Sequence, residues 1–191
     1  MNTGATWGLS GALLLSGVLA LALGYIEGAT LIYAALAVLV VGAIGRGMAT
    51  ESDKKWLPQV VLAGFAVKLI ASFGRFAVLE FLYGGGGDAT GYHGSGTRLV
   101  QIWRSFHLPP MGIGTEFVNA ATGFLYIPYV PTFLGGFLLF ATLAYLGQLM
   151  LLAAFRHSTG GKRSGWYALA VLFLPTIVYW PSSIGKESLM F

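Results

Sequence analysis

The chain has no cysteine and few charged residues. Without cysteine it has no disulfide framework, thiolate metal site or cysteine nucleophile, so any catalysis must use Asp, Glu, His, Tyr, Lys or Arg. Charged residues make up only 9% of the 191 positions, against about 25% in soluble domains, while 56% are hydrophobic. With a mean hydropathy of +0.75, the composition indicates a membrane protein whose solvent is the lipid bilayer.

The basic residues do not indicate nucleic-acid binding. The net charge is +4, but the lysines and arginines are scattered over short segments between apolar runs and form no stripe with interleaved aromatics. The first apolar run has no basic segment before it and no clear small-residue cleavage site. We therefore expect it to be a retained membrane helix and not a signal peptide.

Long apolar runs predict an all-α fold, a polytopic transmembrane bundle with about five spanning helices, because a helix needs roughly 20 residues to cross the hydrocarbon core. The predicted spans are residues 5–25, 29–44, 57–83, 133–155 and 166–180. One large outer loop, residues 84–130, separates the third span from the fourth. Within it, residues 97–106 and 115–126 show the apolar spacing that is typical of helices lying in the membrane interface.

The distribution of basic residues predicts the orientation. Six lie after the second and fourth spans and three lie on the opposite side: Arg46, Lys54, Lys55, Arg156, Lys162 and Arg163 against Arg98, Arg104 and Lys186. This predicts a cytoplasmic N-terminus in the plasma (inner) membrane, with residues 84–93 and 181–188 together on the outer face. The chain divides into a hairpin with its cytoplasmic linker, residues 1–56, and a membrane core, residues 57–191.

Residues 84–93, GGGGDATGYH, are the first candidate for chemistry. Glycines let the backbone approach a ligand closely, and a carboxylate in such a loop, here Asp88, can act as a general base on a sugar hydroxyl or ligate a hard divalent cation. His93 can hydrogen-bond a phosphate, shuttle a proton or ligate a metal, and Tyr92 fits an interfacial anchor. The alternative is a solvated loop in which none of the three has a function.

Lys68 and Arg75 are anomalous, because charges inside a membrane helix are costly and usually face a bundle interior or a cavity. Seven residues apart, they share one face of the third predicted span, which also contains Glu80. Arg75, nearer the outer end, can bind an anionic lipid head group, and the alternative is a buried ion pair or snorkelling. For Lys68 a structural role is favoured.

Residues 181–188, PSSIGKES, are the third candidate. Pro181 ends the fifth predicted span, Ser182 or Ser183 can cap a new helix, and Lys186 follows as apolar residues resume. A helix N-terminus beside a lysine is a natural phosphate site, and the alternative is an ordinary outer turn. Neither a nucleotide P-loop nor the GxSxG elbow of a serine hydrolase is present in the sequence.

The motifs GDATGYH and YWPSSIGKES, with GTEFVNAATGFLY and PTFLGGFLLF between them, resemble a group of bacterial, notably actinobacterial, polytopic membrane proteins. This group is similar to glycosyltransferases of the GT-C superfamily, which includes protein O-mannosyltransferase-like enzymes, and the resemblance covers residues 57–191. It implies a sugar donor on a polyprenyl-phosphate carrier, an acceptor (glycan, lipid or protein) on the outer face, and Asp88 as catalytic base. It also implies basic residues at the carrier phosphate, for which Lys186, Arg75 and Arg98 are the candidates.

Two features differ from the superfamily pattern. The Asp segment follows the third span instead of the first, and a single Asp stands where a DxD or DE pair is usual, which weakens the case for a divalent cation. No other cofactor is implied. Superfamily members contain more helices than this chain, so we expect the chain to be the N-terminal fragment of a longer protein, with the core truncated at residue 191.

The leading hypothesis is a membrane glycosyltransferase in which Asp88 deprotonates the acceptor while Lys186 and Arg75 neutralise the leaving phosphate. Further substrate-binding candidates are His93, Tyr92, Arg98, Ser182 and Ser183. Two alternatives stay open. One is a transporter or flippase of a lipid-linked anion that uses the interruption at Pro181 and the charge of Lys68, and the other is a non-catalytic membrane scaffold.

Overall fold

The structure, a computed structural model, describes residues 3–161 and 163–191, so Lys162 of the orientation count lies outside the described residues. Within these ranges all regular structure is helical, without strands, which confirms the prediction of an all-α chain. The helices are α1 Thr3–Ala22, α2 Gly28–Gly47, α3 Leu57–Ala77, α4 Asp88–Arg104, α5 Thr115–Leu125, α6 Phe133–Thr159, α7 Ser164–Phe173, α8 Pro175–Tyr179 and α9 Lys186–Leu189. A π-helical extension, Val78–Leu82, continues α3.

In the part of the chain that the structure describes, three helices are long and apolar enough to cross a membrane: α2, α3 with its extension (Leu57–Leu82), and α6. The apolar part of α1 and the whole of α7 are shorter, so the predicted count of about five spans is not confirmed. The fifth predicted span is interrupted at Leu174, whose backbone is not helical (φ −59°, ψ 122°). Since the residue before a proline disfavours the α conformation, Pro175 explains this break.

The bundle core lies between α2, α3, α6 and α7. It is made of buried apolar side chains that include Val41, Val61, Phe65, Leu152 and Leu172. A Cβ added at Gly64 would lie 2.7 Å from the Tyr145 hydroxyl, so this glycine allows α3 and α6 to approach closely. The Tyr145 hydroxyl donates to the Val61 carbonyl, which fixes the depth of α6 against α3.

At one end of the bundle, a buried ion pair joins the α2–α3 linker to α6. Arg156 Nη1 lies 2.6 Å from Asp53 Oδ2, and both side chains are only 8% exposed. The other guanidinium nitrogen, Nη2, donates to the Met48 carbonyl at 3.1 Å. The α2–α3 linker is thereby fixed to the end of α6.

At the other end, α4 and α5 lie side by side in the segment predicted as the outer loop. The second helix predicted in this segment is present as α5, but α4 begins at Asp88 and not near residue 97. Residues 88–93 are therefore helical, and the predicted loop 84–93 is a turn only as far as Gly87. The reason is tertiary packing: Gly96 of α4 sits against Thr122 and Gly123 of α5, which offsets the weak helix propensity of a glycine-rich segment.

Candidate functional site

A cleft of about 330 Å³ lies where the π-helical extension, the start of α4 and the segment before α9 meet. It brings together five of the eight residues predicted from the sequence, which come from three separate segments: Asp88, Tyr92, Arg75, Ser183 and Lys186. The cleft therefore joins one carboxylate to two cationic side chains that are distant in sequence.

The backbone before α4 places Asp88 at the cleft. In the π-helical extension the Tyr83 N–H donates to the Val78 carbonyl at 3.2 Å, and Gly84 and Gly85 then adopt left-handed conformations (φ 59° and 74°). The Thr90 hydroxyl donates back to the Gly85 carbonyl at 2.6 Å, which closes the turn. Asp88 is exposed in the first turn of α4, where the helix dipole favours a negative charge.

Arg75 is fixed against α8 and also lines the cleft. Its guanidinium carbon lies 5.3 Å from the ring centroid of Tyr179 and 5.2 Å from that of Trp180. Its Nη1 donates to the Trp180 carbonyl at 3.2 Å. Arginine carries five N–H donors, so this contact orients the side chain without exhausting its capacity to bind an anion.

The segment before α9 differs from the prediction. Neither Ser182 nor Ser183 caps the new helix, because α9 begins at Lys186 with Gly185 at the N-cap position. The buried Ser182 hydroxyl donates to the Val178 carbonyl instead. Ser183 is also buried, and its carbonyl accepts from the Ser188 hydroxyl at 2.7 Å. Ser183 lines the cleft and Ser182 does not, while Lys186 lines the cleft with an exposed side chain.

Tyr92 is not an interfacial anchor. It is only 4% exposed and packs with Ala89, Val118, Phe137, Phe140 and Ile184 in a second apolar cluster beneath the cleft. Its ring therefore forms part of the floor of the cleft. The same cluster fixes the first turns of α4 against α5 and α6.

His93 and Arg98 do not line the cleft. His93 is half-buried on another face of α4, where its Nδ1 lies 2.9 Å from the Tyr126 hydroxyl and its ring packs against Phe133. Burial lowers the pKa of His93, although the negative charge of Glu27 acts to raise it. Burial also raises the pKa of the Tyr126 phenol. Arg98 is exposed, with Nη2 3.3 Å from Ser95 Oγ.

Two polar side chains of the cleft were missed by the sequence-based prediction. Glu187 and Tyr83 both line it, and both are exposed. Both could have been identified from their neighbours in the sequence, because Glu187 directly follows Lys186 and Tyr83 directly precedes the glycine turn. Glu187 gives the cleft a second carboxylate, so its side chains include two acids and two bases.

The side chains that line the cleft can take part in proton transfer and in anion binding. Among the described residues, no group of three or more His, Asp or Glu side chains is close enough together to hold a metal ion. An exposed carboxylate such as Asp88 can accept a proton from a hydroxyl group, and Arg75 and Lys186 can stabilise a phosphate anion by charge and hydrogen bonds. The arrangement fits a reaction in which a proton leaves one substrate while negative charge develops on another.

Searches for related proteins gave no result: no protein-family model, no curated protein and no solved structure matches this chain. The resemblance to the GT-C superfamily therefore stays a prediction.

Proposed function

We propose that the protein is a membrane glycosyltransferase that moves a sugar from a polyprenyl-phosphate carrier to a hydroxyl acceptor. The observation that carries this proposal is the cleft itself, in which the Asp88 carboxylate lies with Arg75 and Lys186. The sequence motifs around Asp88 and Lys186 support the same reaction class. Three helices long enough to cross a bilayer support a lipid-linked donor.

In the proposed reaction, the acceptor oxygen forms a bond to the anomeric carbon of the sugar as the bond from that carbon to the phosphate oxygen breaks. Asp88 takes the proton of the acceptor hydroxyl. The leaving polyprenyl phosphate keeps the electron pair of the broken bond and gains a negative charge, which Arg75 and Lys186 stabilise. Charge stabilisation of this kind is commonly the largest contribution to catalysis, and a positioned general base adds about 10²–10⁴-fold.

An apolar groove beside the cleft supports a lipid carrier. The groove, about 370 Å³, is lined by Gly112, Ile113, Gly114, Phe117, Val118, Leu189, Met190 and Lys186. Because Lys186 lines both the groove and the cleft, a phosphate at Lys186 leaves the apolar chain of the same molecule free to lie in the groove. In our proposal the plasma membrane holds the protein with this end outward.

The transporter or flippase alternative has its own supporting observation: α8, which follows the break at Leu174, accepts a hydrogen bond from the buried Lys68. It is the weaker candidate because Lys68 donates to a backbone carbonyl and does not line the cleft. Both functions involve a lipid-linked anion, so binding alone does not separate them. Transfer of the sugar does.

Binding of decaprenyl monophosphate to the purified protein tests the proposed site. We expect Lys186→Ala to weaken binding about 10-fold or more, since charged hydrogen bonds contribute about 1.5–3 kcal/mol. Lys55→Gln, which removes an exposed charge from the α2–α3 linker, is the matched control and should bind as the unmodified chain does. Equal affinities in all three proteins would contradict the proposed site at Lys186, and no binding in any of them would contradict the proposal and favour a scaffold.

A further inference from the structure

Near the C-terminal end of α8, the carbonyl of Ile177 receives no hydrogen bond from the backbone of its own helix. In an α-helix the Ile177 carbonyl accepts from the N–H four residues later, but residue 181 is a proline and has no N–H. Two side chains from other helices donate to this carbonyl instead. Lys68 Nζ of α3 and Gln148 Nε2 of α6 each lie 3.0 Å from the Ile177 oxygen.

Lys68 and Gln148 are both fully buried. Among the described residues the ion pairs are Asp53 with Arg156 and Glu51 with Lys54, so neither involves Lys68. A charge enclosed within a membrane bundle is costly unless it has a partner. The partner of the Lys68 amino group is the Ile177 carbonyl, near the C-terminal end of α8.

Lys68 and Arg75 act on the same short helix. They lie two helical turns apart on α3, and they donate to Ile177 and Trp180 respectively, near the C-terminal end of α8. Directly after that end, residues 181–185 are buried, and Ser183 through Glu187 form one wall of the cleft. The opposite wall is built from the π-helical extension of α3 itself and from the start of α4.

We propose that Lys68, with Gln148, is a positioning residue: by holding the Ile177 carbonyl it fixes α8 and so sets the separation between the two walls of the cleft. Lys68 does not line the cleft, so it acts through α8 and not on a substrate. The positioning itself is independent of the proposed function. Its consequence for substrate binding rests on that function.

Because the chain contains no cysteine, two engineered cysteines can be spin-labelled without any background labelling, which makes a direct distance measurement simple. Leu82→Cys in the π-helical extension and Met190→Cys after α9 are well exposed, at 75% and 83%. The distance between the labels, measured by double electron–electron resonance without any ligand, should be narrowly distributed in the otherwise unmodified chain. Lys68→Met should broaden or shift this distribution, while a control at an exposed position of the same helix, Ile70→Met, should not.

A second variant covers the case in which Lys68→Met does not fold. Gln148→Met removes the other donor to Ile177 and should change the label distance in the same direction. The proposal is overturned if correctly folded Lys68→Met or Gln148→Met gives the distribution of the unmodified chain, or if Ile70→Met changes it equally.

Decaprenyl monophosphate binding then separates this inference from the proposed function. If both hold, Lys68→Met changes the label distance and also weakens binding, although the lysine does not touch the cleft. If the label distance changes but the unmodified chain binds no decaprenyl monophosphate, the positioning role stands and the proposed function fails. An unchanged label distance overturns the positioning role whatever the binding result.

Discussion

Arg75 and Trp180 contact each other in two ways. The guanidinium carbon lies 5.2 Å from the indole centroid, and Nη1 donates to the Trp180 carbonyl at 3.2 Å. One arginine is thus held both by the face of a ring and by the backbone of the same residue. This links the α3 side of the cleft to α8 and leaves other guanidinium donors for a bound anion.

The first prediction concerns Arg75 as a phosphate ligand. Arg75→Gln removes the charge, and we expect it to weaken decaprenyl monophosphate binding about 10-fold or more, given about 1.5–3 kcal/mol for a charged hydrogen bond. Arg75→Lys keeps the charge but loses the planar fork, so its loss should be smaller. Equal affinities for the Gln variant and the Lys55→Gln control, measured by titration, would remove Arg75 from the site.

The second prediction concerns the packing of α4 on α5. A Cβ at Gly96 would lie 2.5 Å from Thr122 Cγ2, whereas a Cβ at Gly94 would have nothing within 4 Å. Gly96→Ala should lower the free energy of unfolding by about 1–3 kcal/mol through overpacking. Gly94→Ala should leave it unchanged or raise it by up to about 1 kcal/mol, the helix preference of Ala over Gly.

Thermal or denaturant unfolding in detergent measures both glycine variants. If Gly96→Ala were as stable as Gly94→Ala, the close approach of α4 and α5 would be wrong. The placement of Asp88 at the start of α4 would then lose its structural support.

The sequence predicted the elements whose signal is local. Long uncharged runs identified α2 and α6, and amphipathic spacing identified α5. The early start of α4 could not be predicted, because glycines at 91, 94 and 96 disfavour a helix, and the contacts that stabilise it, such as those of Gly96 with Thr122 and Gly123, come from distant parts of the sequence. The break before α8 had a local signal, Leu174 followed by Pro175, which the long apolar run obscured.

The residues of the candidate site that have a local signal in the sequence could also be predicted. Arg75 and Lys186 were identified as charges in apolar surroundings, and Asp88 by its glycine turn. His93 was grouped with Asp88 because the two are near in sequence, but in a helix they point to different faces. The donors to Ile177 come from α3 and α6, and such long-range pairing has no signature in a single sequence.

The third prediction concerns the buried pair of Asp53 and Arg156. Asp53→Asn leaves the Arg156 guanidinium buried without its counter-charge, and we expect a loss of about 3–5 kcal/mol in unfolding free energy. Glu51→Gln, in the exposed pair with Lys54, should cause no measurable loss. Burial acts to raise the pKa of Asp53, but hydrogen bonds from Arg156 and Thr50 lower it overall.

The lowered pKa of Asp53 fixes the direction of its pH dependence. The stabilisation is present above the ordinary Asp pKa and is lost as the pH falls through the lower, folded-state pKa. Acid unfolding of the unmodified chain should therefore be steeper than that of Asp53→Asn. An Asp53→Asn variant as stable as Glu51→Gln at neutral pH would contradict this account of the pair.

The fourth prediction concerns His93. Burial lowers its folded-state pKa, so the unfolded chain binds the proton more readily, and stability should fall as the pH drops below the ordinary value of about 6.5. Comparing melting temperatures at pH 7.5 and pH 5.5 measures this loss. His93→Gln should reduce it, and His107→Gln, at an exposed position, should not. An identical pH response in His93→Gln would show that burial of His93 does not control it.

The most direct test of the proposed transferase uses Asp88→Asn, which keeps the shape of the side chain and removes its capacity to accept a proton. Membranes containing each protein would be given radiolabelled monosaccharides on decaprenyl phosphate, and incorporation into acceptor would be measured beside decaprenyl monophosphate binding. We predict that Asp88→Asn lowers transfer by about 10²–10⁴-fold, the contribution of a general base, while binding is retained or tightened because a negative charge has left the cleft. Transfer by Asp88→Asn at the rate of the unmodified chain would contradict the account.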